Sequence, residues 1–170
     1  MDYCRDVPKQ QFTDISCSIA RAVDVIGQRW TPLIVRDLFA GMTKFEDIRR
    51  DLGIASNILA TRLDDLERHR IVERRQYQST PARHEYVLTE KGRDLYPVIA
   101  TLLAWGDKWL PGPDGPPALI VHTDCALVTT ATTVCGECGG ELNAGNTIHA
   151  PGPGAKTGPG TALIGDYITR

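Results

Sequence analysis

The residues of this 170-residue chain with the most distinctive chemistry are its five cysteines, Cys4, Cys17, Cys125, Cys135 and Cys138. His122-x-x-Cys125 is followed, after the nine residues ALVTTATTV, by Cys135-x-x-Cys138. Two close pairs of soft donors joined by a short strand-like stretch match the spacing of a small zinc ribbon, in which each pair makes a knuckle and one metal joins them. Gly136, Gly139 and Gly140 allow the tight turns such knuckles need, and His149 is a fallback ligand. A Gly/Thr-rich segment with few large apolar groups builds little core, so a metal could supply its folding energy. The spacing leaves three readings open: structural zinc, a disulfide between Cys135 and Cys138 or one including Cys125, and free thiols. Cys17 is a separate case. It opens a helical pattern, where the helix dipole favours a thiolate, so it is a candidate redox sensor with Cys4 as a partner. The plain alternative is a half-buried small side chain at a helix start.

An odd cysteine count, behind an N-terminus without the basic-then-apolar pattern of a secretory signal, argues against a secreted disulfide framework. No apolar run approaches the length of a bilayer span, so the expected location is the cytoplasm, with no membrane partner. A thiol- or metal-dependent enzyme or sensor built on CGEC is the rival reading. However, a thioredoxin-like CxxC should open a helix inside a βαβ unit, and here the turn formers GGELNAGN follow. No Ser/His/Asp arrangement, phosphate loop or supported acidic pair is present, so no catalytic activity is expected.

The elements that must carry these residues fall into two parts. Up to about residue 110 the chain is charged and periodic. After it come the linker PGPDGPP at 111–117, a Cys/Gly-rich segment at 118–150 and a Gly/Pro-rich tail at 151–170 that reads as extended. Residues 1–14 read as an arm and 15–110 as one domain. Within it, residues 17–26 form a first helix stopped by Gly27, and a second is capped by Thr31, started by Pro32 and ended near Gly41. Thr43-Lys-Phe-Glu46 reads as a capping box, opening a helix that turns Phe45, Ile48 and Leu52 inward and ends at Gly53. After a short turn Ser56 caps a fourth helix with Leu59, Leu63 and Leu66 on one face. Together these make a helix-turn-helix. Residues 71–77 and 84–88 alternate as strands joined by a loop at 78–83, which is a wing. Residues 89–110 form a long helix with an apolar stripe of Leu95, Val98, Ile99, Leu102, Leu103 and Trp109, which Pro97 should kink or delay. The expected class is mainly α with a small β-wing (α+β): a winged helix-turn-helix followed by a small Cys/Gly-rich β extension.

In order and spacing, CSIARAVDVIGQRW, TPLIVRDLFAGMTKFEDIRRDLGIASNILATRLDDLE, YQSTPARHEYVLTEKGRDLYPV and AWGDKWL resemble the HxlR family of winged-helix transcriptional regulators, relatives of the MarR group. The resemblance covers residues 17–110. It implies a homodimer built through the first and last helices that binds two half-sites of an operator, and a cysteine placed like Cys17 in relatives that sense oxidants or electrophiles. Longer HxlR-like proteins with a similar Cys-rich, PGPGA-bearing tail imply that the extension is a family module. One departure stands out: Arg70 occupies a position, just after the fourth helix, where such regulators usually carry Gly. An Arg held at positive φ there would cost about 1 kcal/mol.

Base edges are read by the first exposed turns of a recognition helix, which makes Ser56, Asn57, Thr61 and Arg62 the candidate DNA contacts. Asn57 suits adenine, Arg62 suits guanine or a phosphate, and the Ser56 and Thr61 hydroxyls suit either base or backbone; Ser56 is also a plain N-cap candidate. Thr43 and Lys44 would face phosphate at the start of the preceding helix. Between residues 68 and 83, five arginines face one glutamate, a local charge of +4, although the chain as a whole carries −2. Arg83, at the end of the wing loop, suits the minor groove. Arg74 and Arg75 point to opposite strand faces, so only one meets phosphate, and Arg75 is the candidate. The expected partners are double-stranded DNA and a second copy of the chain, with an oxidant or small-molecule effector left open. A winged helix used as a protein adaptor, without DNA, is a third reading.

Overall fold

A computed structural model describes residues 12, 14–164 and 166, so Cys4 and most of the expected arm lie outside the described residues. The chain divides into two compact units, one drawn from residues 1–31 and 148–170 and the other from residues 32–147.

In the first unit, helix α1 (Ser18–Ile26) begins after Cys17 and ends at Gly27. The Phe12 amide donates to Asp24 Oδ2 at 2.8 Å. The Gly/Pro-rich tail belongs to this unit: the Ser16 hydroxyl donates to the Gly154 carbonyl at 2.8 Å. Gly160, at φ +74, lies so close to Ile15 that a Cβ there would meet its side chain at 2.8 Å.

The second unit holds α2 (Thr31–Phe39) from Pro32 onward, α3 (Phe45–Leu52), α4 (Ser56–Arg68), β1 (Val72–Ser79), β2 (Ala82–Leu88), α5 (Glu90–Arg93), α6 (Tyr96–Trp109), β3 (Ile120–His122) and β4 (Leu127–Thr129). Ile34, Val35 and Leu38 of α2, Ile48 of α3 and Leu59, Leu63 and Leu66 of α4 form the core with Ile54, Ile71 and Val72. Burying a leucine completely stabilises the fold by about 2 kcal/mol, so the three α4 leucines fix which face of that helix looks outward. Gly53, at φ 59, ends α3 in the left-handed conformation, and α4 starts three residues later. The helix-turn-helix is therefore present where the sequence places it. Arg36 reinforces it by bridging Asp37 at 2.6 Å and Asp51 at 2.9 Å, which ties α2 to the end of α3.

Three local expectations fail, each because a tertiary partner or a neighbouring residue takes over. The capping box does not form: Lys44 is the cap position of α3 and provides no side-chain bond. The Thr43 hydroxyl instead donates to Glu85 Oε2 at 3.2 Å, its carbonyl accepts from the Tyr86 amide at 2.7 Å, and Glu46 takes Arg49 at 2.9 Å. The incoming wing strand has taken the groups that a local cap would have used. Ser56 is not the cap of α4 either. The Ile58 and Leu59 amides both donate to the Ala55 carbonyl at 3.0 Å, so the helix is entered one residue earlier.

The wing loop, expected at 78–83, is shorter. β1 and β2 pair out to Ser79↔Ala82, leaving Thr80-Pro81 as the turn, with a cis peptide bond between them. The register shifts between Gln76 and Gln78, so Tyr77 is the extra residue of a bulge. Arg83 accordingly sits in β2 opposite Gln78 rather than in a loop, next to the last pair before the turn.

The expected long helix is divided. Thr89 caps α5 by accepting from the Gly92 amide at 3.1 Å, while its hydroxyl donates to the Arg70 carbonyl at 2.6 Å. The chain then turns at Asp94-Leu95, and Pro97 falls in the first turn of α6, where its missing N–H costs nothing. α6 docks on α2 through an edge-to-face contact of Phe39 and Tyr96, with centroids 5.1 Å apart. Arg70 does adopt φ 57, the backbone conformation that the absent glycine would have accommodated without penalty.

Candidate nucleic-acid interface and cysteine turns

With its three leucines turned inward, α4 presents Ser56, Asn57 and Thr61 to solvent. Because Ala55 takes the cap position, the Ser56 hydroxyl is not spent on the helix backbone. Asn57 has no side-chain partner among the described residues, so its amide can offer donor and acceptor together. Thr61 differs: its hydroxyl donates to the Asn57 carbonyl at 2.8 Å, leaving it only acceptor capacity toward a ligand. Arg62 is more constrained still. Its guanidinium bonds Asp65 at 3.0 Å, with both side chains only 15% exposed, and Arg68 engages the same carboxylate. To reach a base or a phosphate, Arg62 must leave this pair.

The start of α3 and the wing form one surface. Lys44 bridges to Glu85 through the backbone, and its ammonium lies 5.6 Å from the centroid of the Tyr77 ring. Tyr77 is exposed because the bulge turns it out. Sequence reasoning missed it, since strict alternation carries no sign of an extra residue. Arg50, exposed on α3 and without a side-chain partner among the described residues, was missed as well; only the basic pair Arg49-Arg50 in the last turn hinted at it.

Of the wing arginines, Arg75 pairs with Glu73 on its own strand. Arg74 lies across from Tyr86 and reaches its phenol. Burial pushes that phenol up from its ordinary value, against the pull of Arg74. Arg83 is exposed and has no side-chain partner among the described residues. The α4 start, Arg50, the Lys44/Tyr77 contact and Arg83 are thus the parts of this surface with unspent hydrogen-bonding or charge capacity.

The cysteine pairs occupy two turns of the same construction. In the β3–β4 hairpin the Ala126 amide donates to the His122 carbonyl at 2.7 Å, with Ala126 at φ 58. In the other turn the Gly139 amide donates to the Cys135 carbonyl at 2.9 Å, with Gly139 at φ 71. The Cys125 sulfur lies 3.4 Å from His122 Nδ1. Backbone hydrogen bonds from Cys138 and Glu137, and then the Cys138 side chain, hold the Cys135 thiol below its usual range. Among the described residues no three His, Cys, Asp or Glu groups are placed to hold a metal ion. Each turn is closed by its own local backbone bonds. In the first unit, Cys17 is a half-buried free thiol at the cap position of α1.

A recognition helix set on a turn, a two-stranded wing at its side and an exposed polar start define a winged helix-turn-helix protein. The chain belongs to the HxlR-like helix-turn-helix family, which it matches over residues 25–114. An uncharacterized HTH-type transcriptional regulator of Mycobacterium tuberculosis is 43% identical over 139 residues, covering 82% of this chain and 88% of the relative. The crystal structure of PA1607, a candidate transcription factor, superposes with a TM-score of 0.75 at 35% identity, over 83% of this chain and 99% of that one. The redox regulator HypR in its reduced form matches at a TM-score of 0.52 and 32% identity, over 54% of this chain and 92% of its own. Membership makes the chain a transcriptional regulator with an HxlR-like helix-turn-helix domain. No helix among the described residues is long and apolar enough to cross a membrane.

Proposed function

We propose that the protein is a cytoplasmic, sequence-specific DNA-binding regulator that reads a pseudo-palindromic operator as a homodimer. The observation that carries this reading is the first turn of α4, where Ser56 and Asn57 are exposed and uncommitted. Asn57 would pair with an adenine edge, Ser56 and Thr61 would contact base or backbone, Thr43 and Lys44 would set the register on phosphate, and Arg83 would enter the flanking minor groove. Arg75 and Arg62 would reach DNA only by exchanging their carboxylate partners for phosphate. The dimer is supported by α6, whose Val98, Leu102, Trp105 and Trp109 are 45–61% exposed. Their spacing of four, three and four residues makes a single seam, the pattern of a helix that packs on a second helix.

The test is selection of bound sequences from random duplex DNA, with the mass of the protein–DNA complex measured on the same sample. Enrichment of an inverted repeat bound by two chains is expected; no enrichment in reducing buffer would sink the reading. Cys17 supports an additional oxidant-responsive role, because its thiol is free at the start of α1. Release from the selected operator on oxidation should disappear in Cys17→Ser, and unchanged release in that variant would reject the role.

A further inference from the structure

A cavity of about 280 Å³ lies within the second unit, between α6 and the β3–β4 hairpin of the extension, and DNA binding makes no use of it. Leu103, Ala104 and Asp107 of α6 line one side, and Ile120 of β3 with Val128 and Thr129 of β4 line the other. At about 100° per residue these α6 positions fall opposite the seam of Val98, Leu102, Trp105 and Trp109, next to the face that Ala100 buries. A second helix packed on the seam therefore does not compete for the cavity. Its volume is at the lower end of the roughly 300–1,000 Å³ of small-molecule sites, so it suits a ligand of about ten non-hydrogen atoms. The charge such a ligand meets is that of Asp107, whose carboxylate is half-buried and has no hydrogen-bond or ion-pair partner among the described residues. Lys108, next in the chain, does not answer it: its ammonium lies 5.0 Å from the centroid of the Trp109 ring. Thr130 and Ala131 continue the lining past the last strand pair, Ile120↔Thr129. Among the described residues they make no backbone hydrogen bond, so their carbonyls are unspent acceptors.

We propose that this cavity binds a small organic monocation, one protonated amine on an apolar body the size of a single ring. The ammonium pairs with the Asp107 carboxylate, and the apolar body lies against Leu103, Ala104, Ile120 and Val128. Both halves of the ligand are needed. A carboxylate partly withdrawn from water and without a counter-ion favours a cation and opposes an anion, while a neutral molecule of the same shape leaves it unpaired. An inorganic cation would leave the apolar lining against water, whereas a ring covers it and gains from that burial. Because the two sides of the cavity belong to α6 and to the extension, the occupant joins the cysteine-bearing hairpin to the helix that carries the seam.

The experiment uses the full chain without DNA, so its outcome is independent of whether the operator reading holds. Phenethylammonium chloride is titrated into isotope-labelled protein and followed through the backbone amide resonances. Phenethyl alcohol and hydrocinnamate serve as the neutral and anionic counterparts with the same ring. The amine should give saturable shifts at Leu103, Asp107, Ile120 and Thr129, with a Kd below about 1 mM for a ligand of this size. The alcohol should bind about fivefold more weakly, and the anion should not saturate. Asp107→Asn removes no contact among the described residues, so the fold should be kept. In that variant the amine should lose about fivefold and bind like the alcohol, whose own affinity stays as in the wild type. Ala104→Leu narrows the cavity and should weaken amine and alcohol alike, with resonances away from the cavity unchanged as the check on folding. The proposal is overturned by equal affinity for amine and alcohol, by undiminished amine binding in Asp107→Asn, by shifts that cluster at Trp105 and Trp109 instead, or by no saturable shift.

Discussion

Replacing Arg83 by Ala isolates the wing's contribution to DNA binding. Arg83 is exposed on β2, two residues from Pro81, and gives up no side-chain contact among the described residues, so the substitution should leave the fold intact. Each phosphate neutralised by a cation contributes about 0.9 to the slope of log affinity against log salt on B-form DNA. One Arg83 per protomer therefore removes about 0.9, and a dimer with both wings engaged loses about 1.8. Over a fourfold change in salt, 0.9 corresponds to about 3.5-fold in affinity and 1.8 to about 12-fold. Fluorescence anisotropy with a labelled duplex of the selected site, titrated at several salt concentrations, measures the slope directly. Arg75→Ala is the internal comparison: its guanidinium already answers Glu73, so its removal should flatten the slope less. An unchanged slope in a folded Arg83→Ala, or a larger change in Arg75→Ala, would refute the assignment of Arg83 as the free wing cation.

Two further outcomes concern stability. Arg70→Gly should raise stability by about 0.5–1 kcal/mol in denaturant unfolding, because the residue stands at φ 57; the added freedom of glycine in the unfolded chain offsets part of that gain. Asp37 is 1% exposed, and its Oδ2 has no hydrogen-bond partner. Burial raises its pKa above the ordinary 3.8, with Arg36 opposing the shift. The folded state therefore holds this proton more tightly than the unfolded state, and stability should fall as pH rises from 3.8 through the raised value. Asp37→Asn should abolish that decline in melts run across acidic pH, and an identical pH profile in the variant would count against it.

Much of the fold was legible because it rests on short-range rules. Gly53 ends α3 where only a residue tolerant of φ 59 fits, and Leu59, Leu63 and Leu66 set the buried face of α4. Pro97 forecast the division between α5 and α6, since no helix carries proline in its interior without losing a bond. Capping was misread at Thr43 and Ser56 because a cap is a competition. The wing strand offers Thr43 a carboxylate and a backbone amide, while at Ser56 the preceding carbonyl already starts the helix. Loop length failed for a related reason: whether Gln78 and Arg83 pair depends on the partner strand, and the bulge at Tyr77 absorbs the odd residue.

By itself the sequence determined the order of elements, the helix-turn-helix and wing, the face of α4 left for DNA and the spacing of the two cysteine turns, because periodicity, glycine and proline act over a few residues. Only the tertiary structure decided which polar groups were still free. Arg62 is taken by Asp65, Arg75 by Glu73 and Thr43 by Glu85, whereas Asn57 and Arg83 are left uncommitted. Which of these groups finds a partner depends on what packing brings beside it, which spacing along the chain does not fix.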